Sequence, residues 1–335
     1  MRNYIIVGPS NNPSAIRDAV FGAVFEEKIH NAHYIAPTMP KGFRRKLQNL
    51  FKRNCFRNII PATIRLIGEL KYRQLNTLFQ SSGDNCIVFC PGTHPLERIS
   101  PSLIRKLRLH KPDCPLILYL VDGISRIAQV SEVPIEKLLG FFEKFDAVYT
   151  YDRTDAKRYG FPFIEIPLWI SDEKPEAMPS CDLYFCGRDK NRSDLLMQIY
   201  DRAAAAGIKC NYHITSLSKT NVRDGVHPSE WVVYKETVKE ALKANCILEV
   251  LTENNYGATL RYKEAVVYNK KLLTNNPEVF NLPYYDERWM HYFEKAEDID
   301  LEWLNRVEKV NYGYKGDFSA EHFLKNIENT YNANK

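Results

Sequence analysis

Short runs of consecutive apolar residues alternate along this chain with longer stretches in which apolar residues recur every three or four positions. Residues 4–7, 86–90, 115–121 and 147–150 are runs of the first kind, closed by Gly8-Pro9, Pro91-Gly92, Asp122-Gly123 and Asp152. Unbroken apolar runs of strand length predict strands covered on both faces. Residues 33–36 and 163–166 are expected to add two more strands. Residues 58–80 carry Ile60, Ile64, Ile67 and Leu70 at helical spacing. Residues 14–25, 134–145 and 154–159 read as further helices, and Ser100-Pro101 opens another with a cap residue and a first-turn proline. Strands alternating with helices imply a mostly parallel sheet with helices on both faces.

The pattern stops at residues 171–180, a polar stretch with Pro175 and Pro179, and then restarts. Strands are expected at 183–185, 210–214, 246–250 and 271–274. Helices are expected at 191–206, 231–244, 259–269, 300–310 and 319–331. The chain is therefore read as α/β, with two Rossmann-like doubly wound domains facing a cleft. The first spans residues 1–170 and the second 181–316, with a terminal helix in 317–335 packing back on the first. Ligands of such sheets lie beyond the carboxyl ends of the strands, where helix N-termini point.

Composition changes this picture little. The 335 residues are 44% hydrophobic and carry a net charge of +5, enough apolar matter for two cores and too little charge to imply nucleic acid as a partner. Residues 1–8 read as a first strand rather than a secretion signal, and no apolar run reaches the length of a membrane span. Eight cysteines occur without a CxxC pair or a neighbouring histidine cluster, so they read as buried thiols with no metal site, in a cytoplasmic protein. One stretch stands apart. Residues 41–57 hold seven basic residues and no acid, interleaved with Phe43, Leu47, Leu50, Phe51 and Phe56. That mixture suits the inner face of an anionic plasma membrane, and equally a solvated helix whose apolar side packs on its own domain.

Candidate chemistry concentrates at two strand-to-helix turns of the second half. The first strand there ends at Gly187, followed by Arg188, Asp189, Lys190 and Arg192 before a helix. Cations at a helix N-terminus oppose the helix dipole, a conflict that an anion placed there would relieve. The second turn, after 246–250, brings Tyr256, Gly257, Ala258 and Thr259 to the start of a helix carrying Arg261 and Glu264. Small residues expose amide N–H groups to a ligand, and Glu264 could accept from ribose hydroxyls. The plainer readings are a solvated basic loop and a capped helix with an Arg261–Glu264 pair. For a general base the candidates are Asp122 and His94, with Asp152 a weaker one that could equally cap the helix at Thr154.

Together these turns resemble the donor half of GT-B glycosyltransferases. Gly187, Arg188 and Lys190 match the glycine-and-basic turn of that family, and Gly257, Leu260 and Glu264-Ala265 match its later glycine-rich helix start. The closest likeness, over roughly residues 146–276, is to bacterial enzymes of capsule and lipopolysaccharide synthesis. The resemblance implies a nucleotide-sugar donor bound as substrate, no cofactor or metal, a glycan or lipid-linked acceptor, and a diphosphate stabilised by Arg188, Lys190 and the amides of residues 257–259. Many retaining members carry a second glutamate eight positions before the ribose glutamate. Tyr256 stands there in this chain, so stereochemistry is unassigned. A nucleotide-sugar epimerase, or an inactive scaffold that binds a nucleotide-sugar, shares the same features.

Overall fold

The computed structural model describes residues 2–9, 16–36, 59–79, 84–93, 95–176, 178–218, 221–229, 233–251 and 257–334. The basic stretch 41–57, His94 and Tyr256 lie outside the described residues. The chain divides into two units, Met1–Trp169 with Phe318–Lys335, and Ile170–Asp317.

The first unit runs β1 (Asn3–Val7), α1 (Gly22–Phe25), β2 (Ala32–Ile35), α2 (Ile59–Phe79), β3 (Asn85–Phe89), α3 (Pro95–Arg98), α4 (Pro101–His110), β4 (Leu116–Leu120), α5 (Ile124–Ser131), α6 (Ile135–Phe142), β5 (Ala147–Thr150) and α7 (Arg153–Tyr159). A π-helical turn, Ile16–Val20, precedes α1. All strand pairs are parallel, in the order β2-β1-β3-β4-β5. Both faces are buried, which explains the unbroken apolar runs. Ile5, Val7, Ile87, Phe89, Leu116 and Leu118 pack with Leu75, Leu103, Leu107 and Phe142. Tyr4, Ile6, Cys86, Val88, Ile117 and Tyr119 face the other way, under Phe21 and Val24. The same face is covered by a last helix of the chain, α12 (Ala320–Ala333), through Phe323, Leu324 and Ile327.

Three expectations need correction. Residues 163–166 are not a strand; Phe163 forms only an isolated bridge to Thr150. The Ile164 amide donates to the Thr150 carbonyl at 2.9 Å, but Pro162 and Pro167, which lack an N–H, flank the segment and keep the ladder from extending. The helix expected at 300–310 is α11 (Leu301–Asn305), a single capped turn. The strand expected to stop at Gly187 continues through Arg188. The apolar pattern also does not foresee α5 or two short strands of the second unit, Val226–Ser229 and Met290–Tyr292.

The second unit contains β6 (Cys181–Arg188), α8 (Ser193–Ala205), β7 (Cys210–Thr215), β8 (Val226–Ser229), α9 (Tyr234–Leu242), β9 (Ala244–Glu249), α10 (Leu260–Val267), β10 (Lys271–Thr274), β11 (Met290–Tyr292) and α11. The order is β11-β10-β9-β6-β7-β8, again wholly parallel. Two buried lysines end helices here. Lys270 Nζ donates to the carbonyls of Leu242 and Ala244 at 2.7 and 2.6 Å, and Lys271 Nζ to those of Trp303 and Arg306. Helix C-terminal carbonyls carry partial negative charge and welcome a cation. No helix among the described residues is long and apolar enough to cross a membrane.

Phe323 is 1% exposed, with its ring 4.8 Å from Tyr119 and 5.6 Å from Phe21. Phe323→Ala is expected to cost about 3–5 kcal/mol in urea unfolding of the first unit. Burial pushes Lys270 down to about 8 from 10.5. Between those values the unfolded chain holds a proton that the folded chain has lost, so the Lys270 contribution to stability rises with pH across the window. The buried thiols, pushed up by burial, act in the opposite direction. The Lys270 contribution is therefore read as the stability of the wild type minus that of Lys270→Met in urea, a difference that should grow from pH 8 to 10.

Candidate functional site

In the second sheet the strand order, counted from β6, is 3-2-1-4-5-6. The order in which strands are added to the sheet reverses between the neighbours β6 and β9, which puts a switch point, and with it a crevice, at their carboxyl ends. Both turns singled out in the sequence leave these two strands.

After β6 the backbone turns through Lys190 and Asn191, both with positive φ (46° and 63°), and enters α8. Asp189 Oδ1 accepts from the Ser193 amide at 2.9 Å, so this helix start is capped from within. Arg188 and Lys190 are exposed. The third cation of the turn behaves differently. Arg192 folds back over the Phe185 ring, 5.1 Å from its centroid. Its guanidinium donates twice to the Arg188 carbonyl, at 3.2 and 2.9 Å, and once to the Val250 carbonyl. It thus spans the crevice from the end of β6 to the end of β9. Gly187 makes room for it: a Cβ there would lie 2.8 Å from Arg192 Nη2 and 3.1 Å from Phe185 Cζ.

After β9, Thr259 caps α10. Its Oγ1 accepts from the amides of Arg261 and Tyr262 at 3.1 and 3.3 Å and donates to Glu249. The amides of Ala258, Thr259 and Leu260 have no partner among the described residues. Glu249 is 3% exposed and accepts a second bond from Thr274 Oγ1. Asn276 ties the turn to the end of β10, donating from Nδ2 to the Gly257 carbonyl at 2.9 Å. Gly257 has φ +95°, a backbone angle that favours glycine.

Arg261 and Glu264 form the i,i+3 pair. Glu264 is fully buried, and its other oxygen accepts from Tyr234 Oη at 2.8 Å. Both carboxylate oxygens are therefore engaged by protein groups, and a ribose hydroxyl would have to join or displace Tyr234 or Arg261. Arg261 reaches the Cys186 carbonyl at 3.0 Å and keeps 18% side-chain exposure. Burial opposes its charge, but Glu264 outweighs that and the guanidinium is held charged. Burial and then the proximity of Arg261 push Arg192 down to about 10. Two like charges thus share the crevice, each held by strand-end carbonyls. Three of the five N–H bonds of Arg192 and two of those of Arg261 meet described partners. Sequence alone places Arg192 only within a basic turn and assigns nothing to Glu249, Thr274 or Tyr234. A carboxylate ending an otherwise apolar strand was the available signal.

In the first unit, Asp122 follows β4 and is half-buried. Asp152 caps α7, accepting from the amides of Thr154 and Asp155 at 2.8 and 3.0 Å, which is the capping role its position allows. Asp155 accepts from the Ile124 amide at 2.6 Å and so caps α5. Burial, with Asp122, Asp152, Asp155 and Glu165 nearby, pushes the Tyr151 hydroxyl up. Separately, a cavity of about 600 Å³ in the second unit is lined by Ile170 to Glu176, Ala244, Lys270 and Val307 to Val310. It lies at the amino edge of the sheet, opposite the two turns, and belongs to neither. The seven described cysteines are free thiols, five of them buried.

Gly187→Ala is expected to destabilise by about 1–3 kcal/mol, because the added methyl must displace Arg192 or Phe185. Gly140→Ala in α6, where a Cβ meets nothing within 4 Å, is the comparison. Urea unfolding that gave both variants the same stability would remove the packing role of Gly187.

No family model matches the chain, and no curated protein matches it significantly in sequence. Among solved structures, the chain is similar to a Listeria monocytogenes protein assigned as a UDP-N-acetylglucosamine 2-epimerase, with 10% identity, 99% of this chain and 97% of that one covered, and a TM-score of 0.56. It also aligns with the glycosyltransferase SnogD of Streptomyces nogalater (11% identity, 92% and 90% covered, TM-score 0.40). MurG of Acinetobacter baumannii is a third (12% identity, 90% and 89% covered, TM-score 0.41). At these identities the likeness concerns architecture: the chain has two Rossmann-like parallel α/β units, consistent with the GT-B fold.

Proposed function

We propose that the second unit binds the diphosphate of a nucleotide-sugar and that the chain is a glycosyltransferase. The observation that carries this reading is the pair of guanidiniums, Arg192 and Arg261, set at the switch point of a 3-2-1-4-5-6 sheet beside the amides of residues 258–260. Glycosyl transfer expels a nucleoside diphosphate, and negative charge grows on it as the bond to the sugar breaks. Fixed cations and oriented amides stabilise that charge without reorganising. Arg188 and Lys190 extend the positive field at the mouth of the crevice. Glu264 holds Arg261 in place, and the ribose is received beside that pair.

The acceptor hydroxyl needs a base. Asp122, half-buried where β4 ends at the carboxyl edge of the first sheet, is the residue proposed for it. The acceptor is proposed to be a glycan or a lipid-linked sugar of bacterial surface polysaccharide, reached from the cytoplasmic face of the membrane. A second reading, a nucleotide-sugar epimerase, is favoured by the likeness to the Listeria protein, whose assigned substrate is UDP-N-acetylglucosamine.

Calorimetry with UDP-glucose, UDP-N-acetylglucosamine, dTDP-glucose and GDP-mannose tests the reading. Arg188→Ala removes an exposed cation. The Arg261→Gln/Glu264→Gln double variant removes both charges of a buried pair together. Each charge-assisted bond to phosphate contributes about 1.5–3 kcal/mol, so a roughly ten- to hundredfold loss of affinity is expected for the double variant and a smaller one for Arg188→Ala. Unchanged affinity in both would refute the site. Conversion of UDP-N-acetylglucosamine to its C2 epimer without any acceptor would replace transfer by epimerisation.

A further inference from the structure

The reading of the crevice as a phosphate site leaves one buried acid without a task. Glu249 closes β9, 3% exposed, and both its oxygens accept from threonine hydroxyls. Each hydroxyl is itself an acceptor for main-chain amides: Thr259 for Arg261 and Tyr262, and Thr274 for Asn276 at 2.9 Å. The carboxylate is thus the last acceptor for the turns that leave β9 and β10. The charges facing it are Arg261 from α10 and Arg192 from the start of α8, while Asp189 offsets part of Arg192.

We infer that Glu249 is the internal counter-anion of the crevice, balancing Arg192 and Arg261 in the free protein and taking up one proton when an anionic diphosphate binds beside them. The inference rests on the phosphate reading. A diester diphosphate brings two negative charges to a place where two guanidiniums already serve two carboxylates, Glu249 and the Glu264 paired with Arg261. In a dry site the remaining like charges repel strongly, and the weakest acid among them protonates. Burial already pushes Glu249 above its ordinary value, against the hydroxyl bonds and the two arginines. The incoming proton comes from solvent and settles on a carboxylate oxygen. The facing threonine hydroxyl turns its own proton aside and accepts instead. Thr274 can do so while still accepting from Asn276, and Thr259 can continue to cap α10.

Linkage fixes the direction. If anion binding raises the proton affinity of Glu249, protonation of Glu249 raises anion affinity, so anions bind more tightly as pH falls, by at most about tenfold per pH unit for one proton. Sulfate and UDP-glucose do not titrate between pH 5.5 and 8 and are the probes. In thermal unfolding, the sulfate-induced shift of the wild type should grow as pH falls across that range. Glu249→Gln should show a larger shift at pH 8 that changes little with pH. A pH dependence in Glu249→Gln equal to that of the wild type would overturn the inference. Should the variant not fold, calorimetry of sulfate binding to the wild type in buffers of different ionisation heat decides, and zero net proton uptake would overturn it. Failure of the phosphate reading looks different. No nucleotide-sugar would stabilise either protein beyond sulfate, while the sulfate titrations would still show whether Glu249 takes up a proton.

Discussion

The interaction on which the second unit depends is the insertion of two guanidiniums between the carboxyl ends of β6 and β9. Strand-end carbonyls at a switch point have no neighbouring strand to bond. Arg192 takes up those of Arg188 and Val250, and Arg261 that of Cys186. Main-chain satisfaction is thereby achieved with charged donors, and positive charge is fixed in the crevice rather than left on mobile surface side chains. The remaining features follow from this. Gly187 lacks a side chain because Arg192 occupies its space. Glu264 is buried because Arg261 needs a partner there, and Tyr234 holds its second oxygen.

The two units share a construction and differ in what they put at the carboxyl edge. Both are parallel sheets with strands buried on two faces. In the second the edge is cationic and amide-rich. In the first it carries Asp122, together with Asp152 and Asp155, which cap α7 and α5. The two edges thus differ in charge type, one cationic and the other acidic.

Much of this architecture was legible in the sequence, because buried parallel strands write themselves as unbroken apolar runs. Ala147–Thr150 and Lys271–Thr274 emerge with both ends correct. Caps were equally readable, as Ser100 illustrates. Short edge strands such as Val226–Ser229, with His227 and Pro228, carry too few apolar residues to be seen. Residues 163–166 had the composition of a strand, but between flanking prolines they form only one bridge, to Thr150. The two turns of the candidate site were found by their glycines and charges. Which cation turns inward was not readable, because it depends on the Phe185 ring and on a carbonyl 58 positions away in sequence. The burial of Glu249 was likewise set by Thr274, a partner contributed by the next strand.

The most direct measurement of the crevice as a diphosphate site is the ³¹P spectrum of nucleotide-sugars titrated with the protein. Selective broadening or displacement of both phosphate resonances of one nucleotide-sugar is expected, with the free spectrum restored when the Arg261→Gln/Glu264→Gln protein is used instead. Unperturbed phosphate resonances for uridine, thymidine and guanosine diphosphate sugars alike, at millimolar protein, would contradict it.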